Sequence, residues 1–93
     1  MYMSDGTVNL ALLHFTGTKG SGREDMKRFV GAHHFGFIVD DVAETQQRVE
    51  AAGGTFFMDL GNDIEKENFE RKFRDPDGII IDISRKGWTG AKR

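Results

Sequence analysis

Glu67-Asn68-Phe69-Glu70-Arg71-Lys72-Phe73-Arg74-Asp75-Pro76-Asp77-Gly78-Ile79-Ile80-Ile81-Asp82-Ile83-Ser84 reads as two β-strands joined by a tight turn. Phe69, Arg71 and Phe73 alternate with Glu70, Lys72 and Arg74, the period of a strand with two unlike faces. Pro76 presets φ at the second turn position, and Gly78 suits a turn residue with positive φ. The run Ile79–Ser84 is too apolar for an exposed edge, yet it carries Asp82 between two isoleucines. A carboxylate in that setting needs a partner, either a cationic side chain or a metal ion.

Outward from this hairpin, the 93 residues suffice for one small domain with a single core. A net charge of −2 gives no strong field of either sign, which argues against nucleic acid or an anionic membrane as the main partner. Cysteine is absent, so disulfides and thiolate metal sites are excluded. No apolar run approaches the roughly 20 residues a membrane span needs. The start, Met1-Tyr2-Met3-Ser4-Asp5, lacks the pattern of a secretory signal, and the cytoplasm is the expected location.

Thr7–Phe15 is expected to be a first strand with almost nothing before it. Thr16–Arg23 is polar and Gly-rich, a linker; its lysine does not follow the last glycine as a phosphate-binding loop requires. Glu24–Phe29 could add a helical turn. Ala32–Val39 is a second strand, with Phe35, Phe37 and Val39 on one face and His34, Gly36 and Ile38 on the other. Gly36 in mid-strand implies a close approach to the backbone, by a ligand or a metal-bound water. Asp41-Val42-Ala43-Glu44 has capping-box spacing and opens a helix that ends at Gly53-Gly54. Thr55–Met58 is a third strand, Asp59–Lys66 a charged loop, and Lys86–Arg93 a polar tail carrying Trp88. The order is that of a small α+β unit with its helix on one sheet face. Phe35, Phe37, Val39, Ile79, Ile81 and Ile83 should then pack on Val42 and Val49, leaving His34 and Asp82 together on the opposite, concave face.

His34-Phe35-Gly36-Phe37-Ile38-Val39-Asp40-Asp41, the helix ending Ala51-Ala52-Gly53-Gly54, and Phe73-Arg74-Asp75-Pro76-Asp77-Gly78 before an acid-bearing strand resemble the vicinal oxygen chelate superfamily. Glyoxalase I, extradiol dioxygenases, fosfomycin-resistance transferases and bleomycin-binding proteins belong to it. The resemblance spans about Ala32–Ser84. It implies a βαβββ module preceded by one extra strand: residues 1–15 as the last strand of a first module, 16–31 as linker, 32–84 as the complete module and 85–93 as tail.

The same resemblance implies a cupped sheet built from two modules around a divalent metal, held by a His at the start of a first strand and a Glu in a last strand. His34 matches that His, and Asp82 stands at the Glu position, one methylene shorter. The counterpart in the first module would be Asn9 or Ala11, neither a carboxylate. His34 and Asp82 are therefore the candidate ligands of a divalent ion (Zn, Ni, Mn, Fe or Co). The alternative is a buried His–Asp pair left from a metal-binding ancestor. Glu70 is the candidate general base, and its alternative is an ion pair with a neighbouring cation. Arg71 and Lys72 could hold an anionic substrate. His33 is expected to have no role in the site, His14 to lie at its mouth, and Trp88 to staple the tail to the domain or to a partner.

The function this implies is metal-dependent chemistry of the glyoxalase or dioxygenase type on a small substrate chelated through adjacent oxygens. Lyase or isomerase chemistry is preferred, because dioxygenation in this family relies on two His and one Glu. The rivals are a metal-free small-molecule-binding dimer of the bleomycin-resistance kind, and a non-functional fragment. A lone module exposes sheet edges, so a homodimer completing the cup is expected.

Overall fold

The computed structural model describes residues 1–15 and 30–90. The glycine-rich linker and the helical turn expected over Glu24–Phe29 fall largely outside the described residues, as does the end of the tail. The elements are β1 (Tyr2–Ser4), β2 (Asn9–Ala11), β3 (His34–Ile38), α1 (Val42–Ala51), β4 (Thr55–Leu60), β5 (Glu70–Arg74) and β6 (Ile80–Ser84). The four later strands form one sheet in the order β3-β6-β5-β4, and α1 crosses from β3 to β4. This is the expected α+β module.

The first fifteen residues depart from expectation. In place of one strand over Thr7–Phe15 there is a hairpin, β1 pairing antiparallel with β2 as a separate two-stranded sheet. The partner comes from just before it in the chain. Asp5 makes this possible: its Oδ1 accepts the backbone N–H groups of Thr7 and Val8 at 2.9 and 2.8 Å. Such local bonding lets Asp set a turn in very few residues. The β5–β6 turn is built alike. Asp75 Oδ1 accepts from Asp77 N–H and Ile79 N–H, both at 2.9 Å, and Gly78 takes φ +86°.

Helix α1 begins as its sequence requires. Asp41 is the N-cap, in extended backbone, and its Oδ1 accepts the Glu44 N–H at 3.0 Å. The core under the helix is Val42, Phe73 and Ile83, joined by Val39, Val49 and Ile64. Phe35 and Phe37 do not join it. They stay 51% and 55% exposed, their rings meeting edge to face at 5.8 Å. The physical reason is position. Among the described residues β3 is an edge strand paired with β6 alone, and the ten-residue helix with its narrow apolar stripe packs over β6 and β4, away from the β3 edge.

The pairings fix the opposite face. Gly36 stands beside Asp82 in the parallel β3–β6 ladder, and Lys72 stands directly opposite Asp82 in the antiparallel β5–β6 ladder. His34 and Glu70 lie two residues along their own strands from these positions, so the two-residue period brings all of them to one side.

Candidate functional site

Four side chains on that face form one polar chain. Lys72 Nζ donates to both oxygens of Asp82, at 3.1 and 3.0 Å. It reaches Glu70 Oε2 at 2.8 Å. His34 Nε2 lies 3.4 Å from Asp82 Oδ2. Strand β5 supplies Glu70 and Lys72 two residues apart on one face, while β6 and β3 bring Asp82 and His34 alongside. Burial grades along the chain: the Asp82 side chain is 2% exposed, Lys72 and Glu70 14%, and His34 25%. The partner that Asp82 requires is thus a cation from the neighbouring strand. Glu70 is ion-paired to the same ammonium, within its own strand.

The tail closes over this cluster. Trp88 Nε1–H donates to Glu70 Oε1 at 2.7 Å. A Cβ built on Gly36 would meet Trp88 Cη2 at 2.9 Å and Asp82 Cβ at 3.1 Å. The close approach implied by Gly36 is therefore made by the indole ring. Asn68 and Thr89 fasten the segment through two reciprocal bonds at 3.0 Å, and Gly87 N–H bonds Ser84 Oγ at 3.0 Å. The β1–β2 hairpin holds its far end: Ser4 Oγ–H donates to Gly90 C=O at 2.9 Å and Asn9 Nδ2–H to Thr89 C=O at 2.7 Å. Trp88 staples the tail to its own domain.

His33 makes a contact that its strand-end position does not reveal. Its Nδ1 lies 2.7 Å from His34 Nδ1, and its ring packs on Phe15 at 5.0 Å. An alternating strand sends adjacent residues to opposite faces, so this contact depends on His33 preceding the first regular residue of β3. His14 is exposed. Arg71 points to the helix side, where its guanidinium donates two hydrogen bonds to the Asp59 carboxylate (2.8 and 3.0 Å) and one to Gln46 Oε1 at 3.2 Å. Among the described residues it is thus held structurally, away from the candidate site.

The electrostatics follow from burial and from Lys72. Burial pushes the Asp82 carboxyl up to about 6; the nearby Glu70 charge adds to this, and Lys72 only partly offsets it. Burial also acts to raise Glu70, but Lys72 and the Trp88 N–H overcome it and hold Glu70 below the usual carboxylate range. Lys72 is raised, because its two carboxylates outweigh the burial that opposes its charge. His34 is lowered, by burial first and then by the Lys72 and His33 charges, which favours the neutral imidazole.

Would a divalent ion fit these residues? Metal ligation by Asp82 places an ion about 2 Å from a carboxylate oxygen. Both oxygens already face an ammonium at 3.0–3.1 Å, which would repel a dication so close by. Among the described residues, no three His, Cys, Asp or Glu side chains are placed to hold one ion together. As arranged, the residues do not fit a divalent metal.

No helix among the described residues is long and apolar enough to cross a membrane. No curated protein and no solved structure matches the chain. A family model does match, over residues 1–83, so that it takes in the β1–β2 hairpin as well as the module whose polar face has just been described. With most of its length so matched and the βαβββ order in place, the chain belongs to the Glyoxalase/Bleomycin resistance protein/Dioxygenase superfamily.

Proposed function

We propose that the chain is a metal-independent small-molecule-binding module of the bleomycin-resistance kind, and that it works as a homodimer in which two modules complete a cup. The observation that carries this reading is the Lys72 ammonium, bonded to Glu70 and to both oxygens of Asp82 at 2.8–3.1 Å. It supplies, from within the chain, the positive charge that a metal supplies elsewhere. Glu70 is a weak base here: one oxygen holds Lys72, the other holds the Trp88 N–H, and its proton affinity is lowered. Binding is favoured over proton abstraction for that reason. Contact to a ligand falls first to His34, the most exposed member of the cluster. Residues 1–15 are assigned to the end of a first module, 32–84 to the complete module, and the compartment to the cytoplasm. The exposed Phe35 and Phe37 on the edge strand support the pairing of copies.

The test is elemental analysis of the purified protein, before and after incubation with Zn, Ni, Mn, Fe or Co, for wild type and Lys72→Met. Wild type is expected to take up no stoichiometric ion, and Lys72→Met, with two carboxylates freed, to gain affinity for one. Stoichiometric uptake by wild type that vanishes in His34→Ala would overturn the reading. It would install the metal-dependent lyase or isomerase instead, with His34 and Asp82 as ligands and Glu70 as base.

A further inference from the structure

Trp88 occupies the polar face of the sheet as a ligand would. Its ring lies on Gly36, where a single methyl group would collide with it, and its N–H meets Glu70 Oε1 at 2.7 Å. The surroundings supply what a small aromatic ligand needs: a flat floor without a side chain, and a half-buried carboxylate oxygen as acceptor. Yet the indole is delivered by a short segment of chain, Gly87–Gly90, fastened at its edges to Asn68, Ser4 and Asn9. The bonds at Thr89 and Gly90 are exposed, with competition from water, so they hold weakly compared with the buried Gly87 N–H bond to Ser84 Oγ, which anchors the start of the segment.

We infer that Trp88 is a tethered occupant of an aromatic slot formed by Gly36 and Glu70, displaced when a planar aromatic molecule with an O–H or N–H donor on its edge takes its place. The inference rests on the proposed small-molecule-binding function and adds to it the chemical class of ligand and a self-blocking contact. Glu70 sets the donor requirement. A ring that lacks a donor leaves a half-buried carboxylate oxygen without its partner, and binds about tenfold more weakly for it.

Trp88 is the chain's single tryptophan, so its fluorescence reports on the slot alone. The probes are phenol and anisole, matched rings with and without the donor, titrated into the wild type, Trp88→Ala and Glu70→Gln, with heat of binding measured in parallel. Phenol is expected to shift wild-type emission to the red in a saturable way as the indole moves into water, with anisole about tenfold weaker. Trp88→Ala should bind phenol more tightly than wild type, because the competitor is gone, and Glu70→Gln should narrow the gap between the probes. Trp88→Leu, which fills volume without a donor, serves if circular dichroism finds Trp88→Ala unfolded. Phenol binding with unmoved wild-type emission, or weaker binding after loss of the indole, overturns the displacement while leaving the proposed function standing. Absence of heat with either probe also overturns it, whereas the proposed function is judged separately by metal uptake.

Discussion

Replacing Asp82 by Asn keeps the shape of a nearly inaccessible side chain and removes its charge. The cluster carries two carboxylates and one ammonium, with His34 neutral, so the ionised site has one negative charge in excess. The raised value of about 6, against an ordinary 3.8, expresses that excess together with burial. At about 1.4 kcal/mol per pKa unit the shift amounts to about 3 kcal/mol, and screening by water at the His34 and Lys72 rim reduces it to about 1–2 kcal/mol. The folded state holds this proton more tightly than the unfolded chain does. Stability from Asp82 is therefore present in full below about pH 4 and is lost as pH rises through about 6. Asp82→Asn should match wild type near pH 4 and exceed it near pH 8 by about 1–2 kcal/mol, or roughly 4–16 °C in melting temperature for a domain this size. Lys72 keeps Glu70 as its partner in the variant, so no cation is orphaned. Thermal melts of both proteins across that range, each with and without chelator, check this. An Asp82→Asn protein less stable than wild type at pH 8 would refute the reasoning, and a wild type whose melting point falls on adding chelator would trace the loss to a metal.

Gly36→Ala should lower stability by about 1–3 kcal/mol in urea denaturation and shift Trp88 emission, since the new methyl group would press on Trp88 Cη2 and on Asp82. Asp41→Ala should cost about 1 kcal/mol through loss of the helix cap, without any change in tryptophan emission. Phe37→Glu places a charge on the exposed rim of β3. It should convert a dimer to a monomer in sedimentation, and a wild type that is already monomeric at micromolar concentration removes the homodimer from the proposal.

The module was legible in the sequence wherever local chemistry and burial agree. Alternation over Phe69–Arg74, the Asp75-Pro76-Asp77-Gly78 turn and the Asp41 cap each depend on residues within a few positions, and each stands where it was expected. The first hairpin was missed for the opposite reason. Tyr2–Ser4 is only three residues long and wholly exposed, so it carries no apolar alternation to read. Its signal was Asp5 before Gly6, whose turn chemistry, an aspartate accepting two backbone N–H groups, repeats that of Asp75. Phe35 and Phe37 misled because alternation identifies a face but says nothing of how far a ten-residue helix reaches across it.

For the site, the sequence gives the faces but not the register, and the register decides the chemistry. Strict alternation places Glu70, Lys72 and Arg74 on one side of β5, and Asp82 on the matching side of β6. It does not say which of the three stands opposite the acid. The observed ladder pairs Lys72 with Asp82 and Arg74 with Ile80. A shift of two residues would preserve every inside and outside assignment, yet set Arg74 or Glu70 against Asp82 instead. With Glu70 opposite, two carboxylates would have faced each other, and a bound cation would have been needed between them. The length of the Asp75–Ile79 turn excludes that arrangement, because Asp75 N–H bonds Ile79 C=O at 2.9 Å and fixes the count of residues on either side. Thus a surface turn, remote from the cluster, determines that the charge beside Asp82 is an ammonium carried by the chain itself.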